Sequence, residues 1–115
     1  MEDKATITVR HAPERRRYEL LDGDTVIGKA HYLPHDGPKG AERIFHHTTV
    51  SGDYAGQGLA ARLVQEALDD TLAAAIAVVP VCPYVRTWLR KHPDYRQRTA
   101  TVRPEHLAAV EHARQ

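Results

Sequence analysis

Cys82 is the only cysteine in the sequence, and the residues on either side of it fix its setting. Residues 74–81 form a run of small and β-branched side chains, the pattern of a buried strand. Pro83 follows, a residue favoured at the first position of a helix, and Tyr84, Val85, Trp88 and Leu89 then recur on one helical face. Cys82 therefore falls at a helix N-cap, where the positive end of the helix dipole favours the thiolate, the nucleophilic form. The same position suits a small hydrophobe. His46 and His47 are the second source of chemistry, since an imidazole titrates near neutral pH and can act as a general base. Strand alternation puts Ile44, His46, Thr48 and Val50 on one face and Phe45, His47 and Thr49 on the other, so the two rings are expected to point opposite ways. A histidine filling a half-buried strand face is the competing role for each.

Between those two groups lies Val50-Ser51-Gly52-Asp53-Tyr54-Ala55-Gly56-Gln57-Gly58-Leu59-Ala60. An apolar strand over 44–50 enters this glycine-rich loop and a helix over 58–72 leaves it. Glycines let backbone N–H groups turn toward an anion, and the first turn of the helix adds unpaired N–H groups and a positive dipole end. A phosphate could be held there without a lysine. A Walker-type loop is excluded, because Leu59 and Ala60 stand where Lys and Ser or Thr are required. Gly56, Gly58 and Ala61 satisfy a dinucleotide fingerprint, G-x-G-x-x-A, but the next strand ends in Val81 and Cys82 instead of an acid, and the chain is too short for the second half of that fold. A lone G-x-G can also be a tight turn with no ligand.

The elements that must position these residues follow from the pattern in order. A frayed terminus over 1–4 and a short strand over 6–9 precede a hairpin, with strands over 15–21 and 25–33 joined at Asp22-Gly23-Asp24. Arg15, Arg16 and Arg17 read as a solvated strand edge. Residues 34–40, rich in Pro and Gly, read as a loop. Leu59, Leu63, Val64, Ala67, Leu68 and Leu72 recur at helical spacing, so one face of the 58–72 helix packs on a sheet. Strand, loop, helix, strand has the length of a crossover between parallel strands. His92-Pro93 closes the second helix, 96–101 reads as loop, and Pro104 opens a last helix to His112. The expected fold class is α/β (α+β), a mixed sheet flanked by helices.

With 115 residues, 42% of them hydrophobic, one domain with one core is expected. Sixteen basic against fifteen acidic residues give a net charge of +1, with no bias toward nucleic acid or membrane. One cysteine forms no internal disulfide and no apolar leader is visible, which points to the cytoplasm. His106 and His112 lie six apart, too far for one helix face, and no metal is expected.

Asp53-Tyr54-Ala55-Gly56-Gln57-Gly58 resembles the [Gln/Arg]-x-x-Gly-x-[Gly/Ala] signature of the GNAT superfamily of acetyltransferases, with Asp53 departing at the first position. His47-Thr48-Thr49-Val50, Val81-Cys82-Pro83-Tyr84-Val85 and His92-Pro93-Asp94-Tyr95 are similar to its small, single-domain, YjdJ-like branch. The likeness spans about 18–96 and leaves 97–115 as a helical extension. It implies a mostly antiparallel sheet with a central, splayed parallel strand pair, and acetyl-CoA as cofactor. The pyrophosphate would sit on Gln57, Gly58, Leu59, Ala60 and Ala61, and the pantetheine arm would run between two splayed strands, at residues 48–51 (with Thr49, Val50 and Ser51) and 78–81; Gly56 and Pro83 complete the expected cofactor-binding set. It also implies an acetyltransferase whose acceptor is an amine on a small molecule or peptide, in a monomer or homodimer. Two mechanisms fit: direct attack with Tyr84 or Cys82 as acid, or acetylation of Cys82 first, with His47 as a candidate base. If the Cys82 thiol lies at the N-terminus of the helix that starts at Pro83, it should be alkylated readily. A non-catalytic acyl-CoA-binding module is the alternative.

Overall fold

The computed structural model describes residues 6–114, so the expectation of a frayed start over 1–4 lies outside the described residues. Five strands form one sheet in the order β1-β2-β3-β4-β5: Ile7–Ala12, Arg17–Asp22, Thr25–Gly37, Gly40–Val50 and Ala77–Pro80. Every neighbour pair is antiparallel except β4 with β5. The helices are α1 (Leu59–Ala73), α2 (Pro83–Arg90), α3 (Pro93–Arg96) and α4 (Pro104–Ala113). The mixed sheet and its flanking helices are those expected.

Each face of the sheet has its own core. Leu59, Leu63, Val64, Ala67 and Leu68 of α1 pack with Val85, Trp88 and Leu89 of α2 against Leu20, Ala30, Tyr32, Phe45 and Val78. On the opposite face Val110 of α4 packs on Ile44 and Val79. Helix α4, with Ala100 and Val102 before it, thus supplies the second layer at the β5 side of the sheet.

Four local expectations change. Residues 34–37 continue β3 and pair with 40–44, so the expected loop shrinks to a turn around Pro38 and Lys39. His35 on one side of this ladder and Glu42 on the other both meet His106 of α4, and sheet pairing overrides the turn propensity of Pro and Gly. The parallel pair lies at one edge of the sheet instead of its centre, extended only by the main chain of Thr99 and Ala100 beside Val78. Of the three arginines expected at a solvated strand edge, Arg15 and Arg16 are exposed, whereas Arg17 is 15% exposed on an inner strand, and with Arg10 and Arg15 it converges on Glu19, which is 1% exposed. Burial raises the Glu19 pKa, but hydrogen bonds from Arg10 and Arg17 outweigh it and leave the pKa lowered.

The fourth change bears on the site. In the β3–β4 ladder His31 pairs with His47 and Tyr32 pairs with Phe45, leaving His46 as an extra residue, a β-bulge. The bulge shifts the alternation by one. Phe45 and Val50 pack into the same core, while Ile44 belongs to the other. His46 and His47 consequently do not diverge. Their rings lie 6.2 and 6.0 Å from His31, and all three line one hollow with Arg114.

Candidate functional site

The parallel ladder ends at Phe45 and Pro80. Val81 and Cys82 both donate their N–H to the Phe45 carbonyl, at 3.0 and 2.8 Å, after which the chain turns into α2 while β4 runs on to Val50. The two strands therefore splay just where the sequence changes from strand to helix signals. Cys82 is the N-cap of α2, with extended backbone angles, and Pro83 is its first residue. Across the splay the Cys82 thiol donates to Thr48 Oγ1 at 3.5 Å.

Beyond Val50 the chain makes a short 3-10 turn at Gly52–Tyr54 and enters α1 through Gly58. Gly56 and Gly58 have φ of +80° and +71°, the left-handed region that suits residues without a Cβ. Gly58 is the N-cap of α1 and no side chain caps the helix, so the first-turn N–H groups remain available to a ligand. They open into a hollow of about 400 Å³ bounded by Thr48–Gly52, Tyr54–Gly56, Gly58–Ala60 and Tyr84. A second hollow of about 520 Å³ runs between α1 and α2, past Ala61, Arg62, Gln65, Thr87, Trp88, Lys91 and His92. Both include Gly58 and Tyr84, so they form one trough.

Of the residues expected at the cofactor, Thr49, Val50, Ser51, Gly56, Gly58, Leu59 and Ala60 line the first hollow and Ala61 the second. Gln57 and Pro83 line neither. Asp53 at the departing signature position also stays out of the trough, its N–H facing the Ser51 hydroxyl. Tyr84 stands at the junction, 39% exposed, and burial of its ring raises its pKa, so the phenol is protonated at neutral pH. Cys82 is 3% exposed and packed in the α1–α2 core, which removes the physical basis for ready alkylation. The structure does not bring His47 to this group; it belongs to the His31, His46 and Arg114 hollow, which shares no lining residue with the trough. Burial, His31, His47 and Arg114 all lower the pKa of His46, and burial with Arg17, His47 and Lys29 lowers that of His31.

Thr48 was missed by sequence reasoning as a thiol partner, and Trp88 and His92 as a wall of the trough. Helical spacing from Tyr84 could have suggested Trp88. His92 stacks on it with ring centroids 3.8 Å apart, its Nδ1 donating to the Trp88 carbonyl.

A model of the GCN5-related N-acetyl-transferase family matches residues 17–98. The chain belongs to this family. Among solved structures, a GCN5-like N-acetyltransferase candidate from Staphylococcus aureus is similar to this family member with a TM-score of 0.62 at 16% identity, covering 89% of this chain and 96% of that one. A ribosomal-protein-alanine N-acetyltransferase from Brucella melitensis biovar Abortus 2308 gives 0.54 at 21% identity, covering 76% of this chain and 63% of the other. At those identities the likeness is one of fold. No curated protein matches this GCN5-related chain.

Among the described residues one group brings three metal-capable side chains within 4.8 Å of one another: His35, Glu105 and His106. Its members have other work. The Arg103 N–H donates to His106 Nδ1 at 2.9 Å, which assigns the proton to Nε2, and Nε2 donates to Glu42 Oε1 at 2.8 Å. His35 Nδ1 donates to the same oxygen at 2.9 Å and Arg103 reaches the other at 3.2 Å. This network ties α4 to β4.

Proposed function

We propose that this chain is an acetyl-CoA-dependent acetyltransferase acting on an amine, in the small, single-domain, YjdJ-like branch of its family. The observation that carries the reading is the uncapped start of α1, set behind two left-handed glycines and opening into a trough that ends at Tyr84 and the strand splay. Those N–H groups suit a pyrophosphate. The splay beside Thr48–Ser51 suits the pantetheine arm, and the Arg62 and Lys91 cations farther along the trough suit the nucleotide end.

Direct attack is the better supported route. The amine nitrogen forms a bond to the thioester carbonyl carbon, the C–S bond breaks, and the Tyr84 hydroxyl supplies a proton to the departing CoA sulfur. Tyr84 recovers a proton from the ammonium through solvent. Tyr84 lines the trough, whereas the Cys82 thiol is buried and hydrogen-bonded to Thr48. Tyr84→Phe is expected to lower kcat by about 10²-fold with CoA binding retained, and Cys82→Ala to keep most of the transfer. Full loss of transfer in Cys82→Ala, with an acetyl adduct on the wild-type chain by intact mass, would instead establish the covalent route. CoA at ~100 times its Kd should stabilise the fold by roughly 2.7 kcal/mol. Thermal unfolding with and without CoA tests this, and an unchanged midpoint refutes the cofactor assignment. A CoA-induced shift with no transfer to any amine in a broad screen favours the binding module.

A further inference from the structure

The β-bulge at His46 does more than gather histidines. Without it, strand alternation would carry Thr48 to the face of Ile44, away from α1 and α2. The extra residue resets the alternation, so Thr48 shares the face of Phe45 and Val50, whose side chains pack in the core that holds Cys82. Bulges recur beside active sites, where they re-aim a side chain. Here the Cys82 thiol, across the splay, donates to Thr48 Oγ1 at 3.5 Å. A hydroxyl has two lone pairs and one proton. The thiol occupies one lone pair, which leaves the Thr48 proton to be given, and among the described residues no protein group accepts it.

Thr48 borders the same hollow as Tyr84. The other hydroxyls around that hollow are committed or turned away. The Tyr54 hydroxyl donates to Asp22, the Ser51 hydroxyl accepts the Asp53 N–H at 3.4 Å, and Thr49 alternates with Thr48 along the strand and is exposed. A thioester has two atoms that gain charge during acyl transfer, the carbonyl oxygen as the amine adds and the sulfur as it leaves. A hollow with one hydroxyl from β4 and another from α2 matches both needs. Resting on the acetyltransferase reading above, we propose that the Thr48 hydroxyl is a catalytic hydrogen-bond donor to the thioester carbonyl oxygen. The amine lone pair forms the C–N bond, and the C=O π pair moves to oxygen, where the Thr48 O–H holds it without transferring its proton. Return of that pair expels the CoA sulfur, which takes its proton from Tyr84. The Thr48 bond strengthens as charge develops on oxygen, so it lowers the barrier more than it aids binding. Cys82 gains a role that suits a buried thiol: by filling a lone pair of Oγ1 it leaves the hydroxyl proton for the trough.

Thr48→Val keeps the branched shape and the strand preference and removes only the hydroxyl, so CoA should still raise its melting temperature. With acetyl-CoA and an amine, its kcat should fall by about 10²-fold with KM nearly unchanged, the loss expected for one oxyanion donor. Thr48→Ser should recover most of that loss. A side chain that only lines the trough or packs the splay would raise KM or lower the melting temperature and leave kcat in place. The second readout needs no turnover. In acetyl-CoA isotope-labelled at the carbonyl carbon and bound without amine, the infrared carbonyl stretch should lie at lower frequency in the wild type and Thr48→Ser than in Thr48→Val. A wild type that acetylates amines while Thr48→Val keeps its kcat overturns the inference and leaves the transferase reading standing. If no amine is acetylated, the transferase reading falls and the infrared band decides Thr48 alone: a lower frequency that Thr48→Val loses upholds the contact, and one frequency in all three chains overturns it.

Discussion

Gly58→Val is expected to abolish CoA binding while leaving the chain folded. A Cβ added at Gly58 meets nothing within 4 Å, so the folded protein without ligand has no clash to relieve. The cost is backbone strain, because φ is +71° and a β-branched residue in that region loses roughly 1–2 kcal/mol. The chain can lower this strain only by turning the Gly58 peptide, which swings the first N–H groups of α1 away from the trough. The open space beside Gly58 is the space a pyrophosphate would fill. CoA affinity should fall by about 10²-fold or more, the value of two to three charge-assisted hydrogen bonds. Gly23→Val is the matched control, since Gly23 has φ +60° and equally open surroundings but lies in the β2–β3 turn. It should lose similar stability and keep the CoA-induced rise in melting temperature. Equal loss of that rise in both variants would show that strain, not the cradle, is responsible.

Glu42→Ala should cost about 3–5 kcal/mol, the range for removing one member of a buried ionic network. Glu42 is 6% exposed and accepts from His35, His106 and Arg103, and His106 is fully buried. Its loss orphans the His106 Nε2–H inside the α4 interface. Urea unfolding should show a lower midpoint with little change in slope. The same network sets an acid limit. Burial raises the Glu42 pKa, but the hydrogen bonds from His106, His35 and Arg103 outweigh it and hold it at about 2 against an ordinary 4.5. A depressed carboxyl contributes stability above its unfolded pKa and loses it as pH falls through the folded one. Roughly 3 kcal/mol should therefore disappear between about pH 4.5 and pH 2. Wild type and Glu42→Gln should converge in stability across that window. Gly37→Ala tests the same contact from the other strand, since its Cβ would land on the Glu42 carboxylate.

Local signals carried much of this molecule. Helical spacing of Leu59, Leu63, Val64 and Leu68 located α1, Pro83 located the start of α2, and the glycines between strand and helix located the trough. What the sequence hid were contacts between distant segments. The bulge at His46 arises from how β3 meets β4, so period-two alternation placed His46 and His47 on opposite faces. The burial of Cys82 depends on α1, α2 and Thr48 converging, which no single window reports. His106 looked like an isolated histidine because its partner, Glu42, is 64 residues away.

That separation has a kinetic side. β1 to β4 form a meander in which each strand pairs with its sequence neighbour, so its loops close early and cheaply, whereas α4 can dock only after β5 has crossed over to join β4. Contacts absent from the folding transition state act on the unfolding rate. Its sequence separation of 64 makes the Glu42–His106 tie an expected contact of this kind. Its removal should steepen the loss of native lifetime, seen as a faster unfolding limb with the folding limb nearly unmoved, so that α4 serves as the latch that closes last and opens first.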